Sequence, residues 1–175
     1  MSPRLVAFLA GSALLAGTSR SSLLKPRSHG FYRYFAFECL LGLVCLNLST
    51  WFQRPAAPLQ LASWALLGGS IALAAQGFSQ LIRQGEPSGS IETTTVLVAT
   101  GVYRRIRHPL YASLLCFAWG VALKGPSVES GITVLAASVL MYLTARAEEH
   151  ENRKRFGEAY AKYAAGTKMF IPFVF

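Results

Sequence analysis

Charge is scarce in this chain: only 14% of its 175 residues are charged, while 53% are hydrophobic. Soluble domains carry nearer a quarter charged residues, so an ordinary soluble fold is excluded and lipid is the expected surrounding. Aspartate is absent; all eight acidic residues are glutamates, and four of them, Glu148, Glu149, Glu151 and Glu158, crowd into one short stretch. Cysteine is sparse too. Cys39, Cys45 and Cys116 lie in apolar runs without a CxxC pair, which indicates neither a disulfide framework nor a zinc site and leaves them as packing residues. No glycine-rich or serine-rich linker, internal repeat or low-complexity tract divides the chain, so one membrane-embedded domain over residues 1–175 is expected.

Five apolar runs fill much of the length, at about 5–18, 31–52, 58–82, 110–123 and 131–144. The second and third are long enough to cross a bilayer, which takes about 20 residues. The last two flank Lys124-Gly125-Pro126-Ser127, whose Gly-Pro pair stops one helix and restarts another. They read as a short helical hairpin, whose arms reach spanning length only if flanking residues, from about Arg105 and to about Ala147, are helical too. The first run has the length of a signal sequence, but Arg20, Lys25, Arg27 and Arg33 place the positive charge on the wrong flank for one, so it reads as a span. The fold class expected is therefore all-α: a polytopic membrane protein of about five transmembrane helices with a C-terminal helix outside the bilayer.

The net charge of +9 does not point to nucleic acid, because the excess sits in loops and at the C-terminus rather than on one solvated face. With five spans, Arg4, Arg54 and Lys124 fall on one side and the other fourteen Lys and Arg residues on the opposite side. The positive-inside rule then puts the N-terminus outside and the C-terminus, with the loop before residue 110, in the cytoplasm.

That loop, residues 83–109, is the longest polar connection, and long connections in compact proteins tend to be functional or disordered. It closes on Tyr103, Arg104, Arg105, Arg107 and His108, just before a helix opened by Pro109. Proline suits the first helical position, so His108 sits near a helix start, where free backbone N–H groups can hold an anion. A second polar group, Arg146, Glu148, Glu149 and Glu151, leaves the fifth run on the same side. Consecutive hairpin arms are normally neighbours, so the two groups are expected to meet. Simpler roles exist for several of these residues: Arg104 and Arg105 as interfacial anchors, and Glu149/Arg153, Glu151/Arg155 and Glu158/Lys162 as i,i+4 pairs. Glu38, a carboxylate inside the second run, lies near Arg33 and could pair with it or mark function.

The run Leu97-Val98-Ala99-Thr100-Gly101-Val102-Tyr103-Arg104-Arg105-Ile106-Arg107-His108-Pro109-Leu110-Tyr111 resembles the LV-x-x-G-x-Y-x-x-x-RHP-x-Y signature of the isoprenylcysteine carboxyl methyltransferase and phospholipid methyltransferase superfamily. A second string continues the resemblance: Glu148-Glu149, then Phe156-Gly157-x-x-Tyr160-x-x-Tyr163, then Ile171-Pro172. Two ordered motifs separated by a helical hairpin cover residues 85–172, half the chain.

The resemblance implies membrane helices over 1–82, a catalytic core over 83–175 and S-adenosylmethionine as cofactor. The cofactor pocket it implies is formed by Val96, Leu97, Val98, Tyr103, Arg107, His108, Pro109, Leu110, Tyr111 and Glu148. Glu149 and His108 are the candidates for removing a proton from an amine acceptor. The acceptor implied is a lipid or a lipidated molecule entering from the membrane. Where isoprenylcysteine enzymes carry an arginine four residues before the first glutamate, this chain has Thr144. Arg146, about 200° further around the helix, is the candidate substrate contact. Within the superfamily the alternative is a phosphatidylethanolamine-type lipid N-methyltransferase, to which Gly85-Glu86-Pro87 is somewhat closer. Outside it stand the NADPH-dependent membrane sterol reductases, which share a Gly-x-Tyr and Pro-x-Tyr arrangement, and a non-catalytic membrane protein.

Overall fold

The structure is a computed structural model, and it describes residues 2–53, 55–86 and 94–174. Arg54 and Pro87, both used in reading the sequence, lie outside the described residues. Seven α-helices follow in order among these residues: α1 (Pro3–Thr18), α2 (Arg20–Leu23), α3 (His29–Asn47), α4 (Pro58–Gln84), α5 (Pro109–Ala122), α6 (Val128–Phe156) and α7 (Glu158–Gly166). Short 3-10 turns occupy Leu48–Thr50 and Gly101–Arg104. The all-α class is as expected.

Among the described residues, three stretches are long and apolar enough to cross a membrane: His29–Thr50, Pro58–Gln84 and Val128–Phe156. Pro3–Thr18 and Pro109–Ala122 are apolar but shorter. At 1.5 Å per residue the 14 residues of α5 reach about 21 Å, short of the ~30 Å hydrocarbon core. The hairpin arms are thus unequal. α5 begins at Pro109, as its proline requires, and does not extend back to Arg105. α6 runs well past Ala147 to Phe156.

The described chain divides into two compact units, Met1–Gly68 with Leu115–Glu148, and Gly69–Leu114 with Glu149–Phe175. In the first, α1 lies on α3, with Gly11 facing the Leu41 side chain and Ser12 Oγ donating to Glu38 Oε1 at 2.9 Å. That bond gives the membrane carboxylate a partner on the adjoining helix. α6 shows why the unit holds together. Val134, Ala137 and Met141, spaced to share one helix face, are all but fully buried, whereas Ile132, Leu135 and Val139 point outward and are exposed. A helix apolar on both faces suits a protein that packs on one side and meets lipid on the other.

The hairpin turn is tied down by buried polar bonds. Asn47 Nδ2 donates to Ser130 Oγ at 3.0 Å, Ser63 Oγ donates to the Gly120 carbonyl at 2.6 Å, and Gln60 Nε2 donates to the Lys124 carbonyl at 2.9 Å. Lys124 is itself buried, its Nζ 3.2 Å from the centre of the Trp64 ring and 3.3 Å from Gln60 Oε1. A cation over an indole face is attracted by the ring's quadrupole, which accounts for a lysine inside an apolar assembly.

In the second unit a break separates α6 from α7 at Gly157, whose φ of 57° favours a residue without Cβ. The chain then turns back after α7, and Lys168 pairs with Ile106 as an isolated parallel bridge. Lys168 N donates to the Arg105 carbonyl, while Arg107 N and His108 N donate to the Lys168 and Met169 carbonyls. The segment that opens α5 is therefore laced to the C-terminal segment.

Candidate functional site

The lacing positions the polar residues ahead of α5. Arg107 projects from the bridged segment, and its guanidinium is used on two sides. Nε donates to Glu149 Oε1 at 2.7 Å, and Nη1 donates to the carbonyls of Ala164, at 3.1 Å, and Thr167, which close α7. Glu149 is buried, and its Oε1 also lies 3.4 Å from His108 Nε2. The i,i+4 pairing of Glu149 with Arg153 is therefore displaced: the carboxylate turns to the loop, where a guanidinium fork supplies a charge-assisted bond.

His108 is 4% exposed, and its Nε2 makes no hydrogen bond even though it sits at ion-pair distance from Glu149. One face of the imidazole stacks on Tyr111, with centroids 5.5 Å apart, and Phe170 tilts against it at 6.2 Å. Tyr103, also buried, offers its carbonyl to Tyr163 Oη, which donates at 2.8 Å. Burial, reinforced by the nearby Tyr160, pushes the Tyr163 phenol well above its usual range.

Tyr103, Arg107, His108, Pro109, Leu110, Tyr111 and Glu149 all belong to the second unit. Val96, Leu97 and Val98 do as well, on the connection after α4. Val96 N donates to the Gly85 carbonyl at 3.2 Å, Val96 is exposed, and Val98 is buried. Glu148 and Arg146 fall in the first unit, near its end in α6. Glu148 is half-buried, and Arg146 is exposed with Nη1 3.2 Å from Tyr142 Oη. Thr144, four residues before Glu148, is fully buried and donates to the Leu140 carbonyl of its own helix at 2.7 Å.

Three participants went unread as site residues in the sequence: Phe170 against the imidazole, Tyr163 on the Tyr103 carbonyl, and the α7 end that receives Arg107. Their signal was the second string, whose Tyr160, Tyr163 and Ile171-Pro172 bracket them.

No curated protein and no solved structure matches the chain. The family model of the phospholipid methyltransferases matches residues 59–159, more than half of the chain, including the whole Leu97–Tyr111 run and Glu148-Glu149. With its apolar helices and this match, the chain belongs to the phospholipid methyltransferase family of membrane methyltransferases.

Proposed function

We propose that this protein transfers a methyl group from S-adenosylmethionine to a lipophilic acceptor at the cytoplasmic face of a membrane, within a single membrane-embedded domain. The observation that carries the reading is the cluster of Arg107, His108 and Glu149, in which a buried carboxylate, a buried imidazole and aromatic rings meet at the start of α5. The donor set fits the cofactor. Tyr111 and Phe170 give aromatic surface for adenine and for a cation, and His108 Nε2 is buried without a hydrogen bond. When bound, S-adenosylmethionine supplies a methyl group on a positively charged sulfur, open to in-line displacement.

The chain's residues then have separable tasks. Arg107 is a positioning residue: it joins Glu149 to the end of α7 and so fixes the segment carrying His108. His108 and Tyr111 contact the cofactor, with Val96, Leu97, Val98, Tyr103, Pro109, Leu110 and Glu148. Holding two reactants in line contributes on the order of 7–11 kcal/mol to such reactions, so orientation is the main service the protein performs. A carboxylate or thiolate acceptor needs no base. An amine must first lose a proton; of the two candidates, Glu149 is held by Arg107, so His108 would take it. The topology that fits has the N-terminus outside and the C-terminus in the cytoplasm, where the water-soluble cofactor enters, while the acceptor arrives laterally from lipid.

A second reading, an amine-bearing phospholipid as acceptor, is favoured over a prenylcysteine by Thr144. Its hydroxyl is buried and spent on its own helix, which leaves no cation there for a substrate carboxylate. The experiment is product analysis after incubating purified protein with methyl-labelled cofactor and two acceptors. Label in the phosphatidylethanolamine headgroup supports the amine reading, and label in a base-labile methyl ester of a prenylcysteine supports the carboxylate reading. No lipid-soluble label from either acceptor, or from a host lipid extract, would refute methyl transfer.

A further inference from the structure

A cavity of about 850 Å³ opens in the second unit beside the polar end of α4, and Phe170 alone among its lining residues has a task in the methyl-transfer cluster. Its walls divide by chemistry. Arg104, Arg105 and Gln80 supply polar lining, and Leu73, Phe170 and Phe173 supply apolar surface. Both arginines are exposed, and among the described residues neither guanidinium makes a hydrogen bond or an ion pair. Leu73 and Gln80 are seven residues apart on α4, which puts them on one helix face about 10 Å apart along the axis. Polar and apolar walls are thus offset along a helix of bilayer-spanning length.

Gln80 adds a demand of its own. Its Oε1 is buried and has no hydrogen-bond partner, an arrangement that costs free energy until a donor arrives. Gly101 stands against the same side-chain amide with φ of 55°, so close that a Cβ there would fall inside it. The 3-10 turn carrying Arg104 thereby rests on Gln80. A ligand that satisfies this wall needs negative charge for two guanidinium forks, a hydroxyl for the amide and a hydrocarbon tail. A hydroxyl can donate or accept, so it serves Gln80 in either orientation of the amide.

We propose that this cavity is a binding site for an anionic glycerophospholipid with a hydroxyl-bearing headgroup, its phosphate on Arg104 and Arg105 and the upper part of a chain along Leu73, Phe170 and Phe173. The site adjoins the methyl-transfer cluster through Phe170 and does not depend on that reading. Phe170 is shared between them, with its ring against His108 and its surface in the cavity wall.

The test is native mass spectrometry of the detergent-solubilised full chain, titrated with phosphatidylglycerol, phosphatidylcholine or inorganic phosphate. Phosphatidylglycerol should bind about tenfold more tightly than phosphatidylcholine, and Arg104→Ala/Arg105→Ala should remove about that factor. Phe173→Ser should weaken the lipid without restoring phosphatidylcholine. The pair Arg153→Ala/Lys154→Ala, exposed charges on α6, controls for charge alone and should leave binding unchanged. Equal binding of the two lipids, equal loss with the control pair, inorganic phosphate binding as well as the lipid, or displacement of the lipid by S-adenosylmethionine would each overturn the proposal.

Discussion

Arg107 and Glu149, 42 residues apart, meet with Nε 2.7 Å from Oε1, both side chains at least 87% removed from solvent. Because Nη1 of the same guanidinium holds the Ala164 and Thr167 carbonyls, this pair fastens α7 to the segment before α5. Breaking a largely buried pair strands the remaining charge, so Arg107→Ala or Glu149→Ala should each cost about 3 kcal/mol. At this chain length that is a fall of roughly 6–12 °C in Tm. The double variant should cost less than the sum, with a coupling of about 1–3 kcal/mol. Thermal unfolding of the four forms in one detergent measures it; strict additivity would show that the pair carries no interaction.

The alkaline side of stability should belong to Tyr163. Its phenol donates to the Tyr103 carbonyl from a half-buried position, and desolvation raises its pKa above the ordinary 10.0. With the folded value above the unfolded one, the contribution is complete below pH 10 and declines as pH rises through the folded value. Melting curves from pH 8 to pH 11.5 should therefore be flat for this group until the ordinary tyrosine range and fall beyond it. Tyr163→Phe should begin lower, for want of the hydrogen bond, and lose that alkaline decline. An identical decline in the variant would assign it elsewhere.

Much of this arrangement was legible in the residues, and the remainder has definite physical reasons for having been hidden. Apolar runs and the Gly125-Pro126 break marked α3, α4 and the hairpin, because lipid demands long apolar stretches and proline cannot continue a helix. Hydropathy registers where lipid ends and not where a helix does, so the extension of α6 through residues 145–156 showed only in the i,i+4 spacing of Glu149/Arg153 and Glu151/Arg155. The meeting of the loop with Glu149 followed from hairpin adjacency. Glu149's partner did not, since Arg153 offered a local match at i+4 while Arg107 is bridged only through the Ile106 and Lys168 pairing. Nothing in a sequence announces a single isolated bridge. Thr144 stands out in the sequence as a departure from the isoprenylcysteine pattern, whereas its burial and its bond to Leu140 arise from packing that no local pattern encodes.

Gly101 should tolerate no side chain. Alanine there would hold a left-handed backbone at a cost of about 1–2 kcal/mol and would also drive into the Gln80 amide. Gly101→Ala should therefore lose more stability than that figure, and adding Gln80→Ala should recover the steric part while leaving the backbone part. Differential scanning of the single and double variants separates the two. Full recovery in the double variant would mean that the φ of 55° carries no penalty.

Equilibrium binding of radiolabelled S-adenosylmethionine to the purified full chain tests the central claim most directly, with NADPH in parallel. The wild-type protein should bind the sulfonium cofactor at micromolar concentration and ignore NADPH, and His108→Ala and Glu148→Gln should each abolish binding while the protein stays folded. A wild-type chain that fails to bind S-adenosylmethionine, or one whose affinity survives both substitutions unchanged, would contradict the account.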